Sequence, residues 1–75
     1  MSYITVDYDA AYAAADTVAA VAREVLAALE GEACPELEAY AGELTALAEL
    51  IRRETDEYRA LDMKMVELGR IERGQ

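Results

Sequence analysis

Without a histidine, the chain has no side chain whose ordinary pKa lies near neutrality, so acid, base and metal chemistry fall to other residues. Sixteen carboxylates, seven basic residues, five tyrosines and a single cysteine, Cys34, remain. Glu30, Glu32, Glu36 and Glu38 cluster closely enough to attract a cation. They lack the alternating acids and central glycine of a calcium loop, so a solvated acidic turn is expected. Cys34 precedes Pro35 at a helix start, where a thiolate is favoured, but Glu32 and Glu36 oppose that charge. A small hinge residue is the expectation, with intermolecular disulfide formation as the alternative. Arg23, Arg52, Arg53, Arg59 and Lys64 would have to converge to hold a dianionic metabolite, and the acidic field works against it. The carboxylate and histidine pattern of di-iron helical bundles is absent. No enzyme, cofactor or metal site is expected.

Tyr-x-x-x-Asp occurs three times: Tyr3 with Asp7, Tyr12 with Asp16, and Tyr58 with Asp62. At this frequency of acids and tyrosines about one match arises by chance, so position must distinguish a recognition element from a seam tyrosine beside a solvated acid. On a helix, residues four apart share a face. Each pair would present a phenol and a carboxylate together, a surface suited to recognition rather than turnover.

The elements that place these residues follow from Leu29-Glu30-Gly31-Glu32-Ala33-Cys34-Pro35. Gly31 suits a helix end, and Pro35 suits a first helical turn because its fixed φ is already helical and its missing N–H is not needed there. The chain therefore reads as one all-α domain, an antiparallel helix-turn-helix hairpin. Helix 1 is expected over about residues 8–30, the hinge over 31–34, helix 2 over about 35–68 and a frayed tail over 69–75, where Gly69 and Gly74 weaken continuation.

Residues 3 to 7 are alternating and β-branched and predict an extended lead-in. Asp7 should cap helix 1, with Asp9 favourable near its positive end. Within helix 1, Ala11, Ala15, Val18, Ala22, Val25 and Leu29 recur at steps of four and three, marking one face. Val21 and Leu26 widen it near the hinge. In helix 2, Leu37, Leu44, Ile51, Tyr58 and Met65 fall every seven residues, and Tyr40, Leu47, Leu61 and Leu68 follow a second row at the same interval. That is a coiled-coil-like seam. Glu49 with Arg53, Arg52 with Asp56 and Arg53 with Glu57 stand four apart and would brace the solvent face.

Helix 2 is longer than helix 1, and antiparallel pairing sets Tyr8 against the Tyr58 region. Residues beyond about 60 are then left without a helical neighbour in the same chain, an overhang that calls for a partner, the N-terminal lead-in or disorder. A domain of this size is marginally stable alone, so the hairpin is expected to dimerise into a four-helix bundle, burying Val18, Val25 and Leu29 with Leu37, Leu44, Leu47, Ile51, Tyr58 and Met65.

Charge narrows the partner. Of the net −9, all resides in residues 1–51, with ten acids against Arg23, while residues 52–75 hold six of each sign. Such a field repels nucleic acid and anionic membrane surfaces. The N-terminus, Met-Ser-Tyr-Ile-Thr-Val-Asp, lacks a basic region followed by a long apolar core. No apolar run approaches membrane-spanning length, so neither membrane insertion nor the general secretory route is signalled.

Leu29-Glu30-Gly31 between two helices, with Tyr58-Arg59-Ala60-Leu61-Asp62 late on the second, resembles the WXG family. These early-secreted-antigen-like helical hairpins are exported as dimers by bacterial type VII (ESX) secretion machines. Gly31, Tyr58 and Asp62 match the family's hinge glycine and Tyr-x-x-x-Asp export element, while Leu29 replaces its tryptophan. The chain is also shorter than is usual in that family, chiefly in helix 1. The resemblance implies pairing with itself or a related small helical protein. A larger type VII toxin or the secretion ATPase are further partners, and the location is secreted or cell-surface without a cleavable signal peptide. The alternative is an intracellular acidic helical adaptor or immunity-like interaction module with no secretion role.

Overall fold

The computed structural model describes the backbone of residues 6–72 and the side chains of residues 6–69. Two helices, α1 (Tyr8–Ala28) and α2 (Pro35–Glu72), pack against each other as an antiparallel hairpin. Among the described residues the secondary structure is helical, with no strand. The extended lead-in expected at residues 3 to 7 and the Tyr3 copy of Tyr-x-x-x-Asp lie largely outside the described residues.

Asp7 starts α1 as expected. Its backbone is extended, and its carboxylate accepts a hydrogen bond from the Ala10 N–H at 3.0 Å. Asp9 lies in the first turn, where negative charge is favoured. The helix stops slightly earlier than the sequence suggests. The Leu29 and Glu30 amides donate to the Leu26 and Ala27 carbonyls, three residues back, which tightens the final turn. Glu30 at φ 49° and Gly31 at φ 83° then reverse the chain through two successive left-handed residues. Gly31 adopts this conformation freely, whereas Glu30 does so at a cost of roughly 1–2 kcal/mol.

Cys34 is half-buried and its carbonyl accepts from the Glu38 N–H at 3.0 Å. Pro35 opens α2, with Glu36 and Glu38 in the first turn. The helix then continues through Gly69 to Glu72, four residues past the end expected from sequence. A helical glycine costs only about 1 kcal/mol relative to alanine and does not by itself end a helix. Residues 73–75 of the expected frayed tail lie outside the described residues.

The centre of the hairpin is made of small side chains. Ala15 and Ala22 of α1 and Ala41, Ala48 and Thr55 of α2 are the buried residues among those described. Each set repeats every seven residues. Such side chains let two helices approach closely, but they contribute little apolar area each. The Thr55 hydroxyl is satisfied by donating to the Ile51 carbonyl at 2.6 Å. Among the described residues no large side chain is fully buried.

Candidate interaction surface

At 3.6 residues per turn, the alanine rows divide the hairpin into two edges with different chemistry. On one edge the helices are joined by polar side chains. Tyr8 donates its hydroxyl to Asp62 at 2.8 Å. Tyr12 donates to Asp56, and the Arg52 guanidinium pairs with Asp16. Two arginines lie over the phenol rings, Arg52 5.9 Å from the Tyr12 centroid and Arg59 6.0 Å from that of Tyr8, a geometry suited to cation–π attraction.

This clasp was not read from the sequence. Spacing suggested Tyr12 beside Asp16 and Arg52 beside Asp56. In the structure the partners are exchanged across the helices, because Asp56 is taken by Tyr12 and Asp16 faces Arg52. None of the expected pairs four apart, Glu49 with Arg53, Arg52 with Asp56 or Arg53 with Glu57, closes into a salt bridge. The usable signal was register: once Tyr8 is set opposite residues 58–62, Tyr12 and Asp16 fall opposite Asp56 and Arg52.

The clasp also perturbs the phenols. Desolvation, then the hydrogen bond to Asp62, raises the Tyr8 pKa above its ordinary value. For Tyr12, the hydrogen bond to Asp56 leads and desolvation adds to it. Deprotonation would remove the donated proton and set a phenolate beside a carboxylate.

The opposite edge is apolar and open. Val18 and Val25 of α1, Leu29 just after it, and Leu44 and Ile51 of α2 are half-buried flanks of the alanine core. Leu37, Tyr40 and Leu47 continue this edge outward and are exposed, as are Tyr58, Leu61, Met65 and Leu68 further along. The seven-residue rows that suggested a seam therefore lie beside the intrahairpin core. Their large side chains are exposed at the positions 37, 40, 47, 58, 61, 65 and 68 and half-buried at 44 and 51, and the second row is broken where Glu54 occupies it.

Past Tyr8 the stripe belongs to α2 alone. Met63, Met65, Val66 and Leu68 are all exposed, with Met65 at 62%. Asp62, Met63, Val66 and Glu67 line a shallow, open depression there. The hinge tripeptide and the Tyr58 and Asp62 pair sit at opposite ends of the paired region. Leu29 is half-buried, Glu30 and Gly31 are exposed, and Tyr58 is 47% exposed. Asp62 is exposed but its carboxylate is engaged by Tyr8.

Among the described residues no helix is long and apolar enough to cross a membrane, and no group of three or more Cys, Asp or Glu is placed to hold a metal ion. Comparison of the chain with protein-family models, with curated proteins and with solved structures finds no match.

Proposed function

We propose that this chain is a non-catalytic helical pairing module that serves a bacterial type VII (ESX) secretion system, either as an exported protein or by bringing a partner to the export machinery. The observation that carries the pairing is the apolar stripe from Leu37 to Leu68, which keeps seven-residue spacing and is exposed at most of its positions with no second helix over it among the described residues. A helix from a second chain laid on that stripe buries it and completes a bundle.

Recognition by the export machinery rests on Tyr58 and Asp62. Tyr58 is half-exposed near the end of the paired region, where a receptor reaches it beside the Asp62 carboxylate. The test is export by cells with an active type VII system. Tyr58→Ala and Asp62→Ala should abolish export while leaving pairing intact. Tyr8→Phe, which removes the internal hydrogen bond to Asp62 but keeps both signal residues, should still be exported. Undiminished export of both alanine variants would overturn the signal.

One observation favours a second reading. Asp62 is already held by Tyr8 within the chain, as expected if the pair is structural and the protein is an intracellular acidic adaptor or immunity-like module. That reading requires that the protein never appear outside the cell, even with the secretion system active.

A further inference from the structure

We infer that the chain covering the stripe is a second copy of this protein, lying antiparallel along α2 about a two-fold axis between Arg52 and Arg53, so that the overhang of each copy covers the hinge end of the other. The inference rests on the pairing proposed above and names its occupant and register.

The register comes from the two apolar rows. When two seam helices run in opposite senses, the first row of one faces the second row of the other. About that axis Leu37 meets Leu68, Tyr40 meets Met65 and Leu44 meets Leu61 of the other copy, each twice. Sliding one copy by seven residues strands either Leu37 and Tyr40 or Met65 and Leu68. Helix α1 accompanies α2 only as far as the Tyr8 to Asp62 hydrogen bond, so Met65 and Leu68 lie past its reach, while Leu37 and Tyr40 are exposed at the hinge end. One symmetric contact covers both ends with residues this chain already carries.

Charge selects the same alignment. The row of α2 that borders the stripe holds Glu36, Glu43, Leu50, Glu57 and Lys64, all exposed. The bordering row of α1, Ala14, Val21 and Ala28, carries no charge. In the antiparallel register Lys64 comes opposite Glu43 of the other copy, once on each side of the axis, and Leu50 comes opposite Glu57. Charges flanking a helical seam set orientation in this way. A parallel alignment would set Glu54 against Glu54 in one layer and bring Glu30, Glu32, Glu36 and Glu38 of both hinges to one end. Reversal separates the hinges and lays each beside a 52–75 end, where acids and bases balance. Glu54 then faces Ile51 of the other copy beside the axis, a polar residue that costs stability and fixes register.

The area is sufficient. The exposed Leu, Tyr and Met residues of α2 on this edge are each about half accessible. Taking roughly 200 Å² for a large residue fully exposed, they offer up to about 800 Å² per copy, one partner's share of a standard stable interface.

The experiment uses the full chain. Sedimentation equilibrium should give the mass of a dimer, with a Kd in the micromolar range or tighter. Glu54→Leu should tighten it on the order of tenfold or more. Lys64→Glu should weaken it on the order of fivefold, and adding Glu43→Lys to the same chain should restore it. In a Cys34→Ser chain carrying Leu37→Cys and Leu68→Cys, a short thiol cross-linker should join position 37 of one copy to position 68 of the other. Within one chain the length of α2 forbids that link, since these positions stand roughly 47 Å apart at about 1.5 Å per residue.

A monomer that binds a synthetic 32-residue helix of Leu and Ile heptads overturns the second copy and leaves the pairing face standing. A monomer that binds no such helix overturns the pairing face, and this inference with it. Links from 37 to 37 and from 68 to 68, or failure of Glu43→Lys to restore the Lys64→Glu dimer, overturn the antiparallel register.

Discussion

The two edges of the hairpin are built from the same pair of helices and behave oppositely. Along one, Tyr8, Tyr12 and Asp16 meet Asp62, Asp56 and Arg52, so polar groups find partners inside the chain. Along the other, residues of larger apolar area flank the core or are exposed among the described residues. The polar edge fixes the register of the two helices. The apolar edge holds most of the area that association would bury, and burial is the larger source of free energy. The molecule is therefore aligned by one side and left to be stabilised from the other.

The sharpest way to break this contrast is to remove the narrow centre that holds both edges in place. Ala41→Leu or Ala48→Leu inserts three carbons where the helices are closest, and each should destabilise the hairpin by about 1–3 kcal/mol. Urea unfolding followed by circular dichroism would measure it, with an earlier midpoint expected. Next comes the turn. Gly31 has φ 83° with open space around its Cβ position, so Gly31→Ala should cost roughly 1–2 kcal/mol through backbone strain alone.

The clasp should be pH-sensitive in one direction. Because folding raises the phenol pKa values of Tyr8 and Tyr12, the neutral forms are favoured in the folded chain. Their contribution is fully present below the unfolded value of about 10 and is lost as pH rises through the higher folded values. Unfolding midpoints measured from pH 8 upward should fall above about pH 10 in the native chain. The fall should be smaller in a Tyr8→Phe, Tyr12→Phe variant, whose midpoint is lower at neutral pH. The smallest effect is on the open edge. Leu61→Glu should change the stability of the isolated hairpin by less than about 0.5 kcal/mol, since its side chain lies outside the core, and yet weaken pairing.

The hinge and the helix starts were readable because they depend on local backbone chemistry. Asp7, Gly31 and Pro35 each act within a few residues of themselves. The overhang was readable too, from the unequal spacing of breakers. The clasp and the identity of the core were harder because they depend on which of two adjacent rows turns inward. The large rows at Leu37 and Tyr40 gave the stronger periodic signal, but Ala41, Ala48 and Thr55 occupy the centre. Small residues permit close helix approach, and the larger ones then find room only at the flank. Reading 41, 48 and 55 as a row of small residues opposite Ala15 and Ala22 would have shown this. Exchange of partners between Tyr12, Asp16, Arg52 and Asp56 follows only once that register is known.

The most direct test of the central claim, that the apolar edge is the docking face and the clasped edge is not, is methyl and amide NMR mapping of the full chain titrated with a synthetic 32-residue helix of Leu and Ile heptads. The account predicts shifts at Leu37, Tyr40, Leu44, Leu47, Ile51, Tyr58, Leu61, Met65 and Leu68, with Tyr12, Asp16, Arg52 and Asp56 unmoved. Shifts concentrated on Tyr12, Asp16, Arg52 and Asp56, with the Leu37 to Leu68 stripe unchanged, would contradict it.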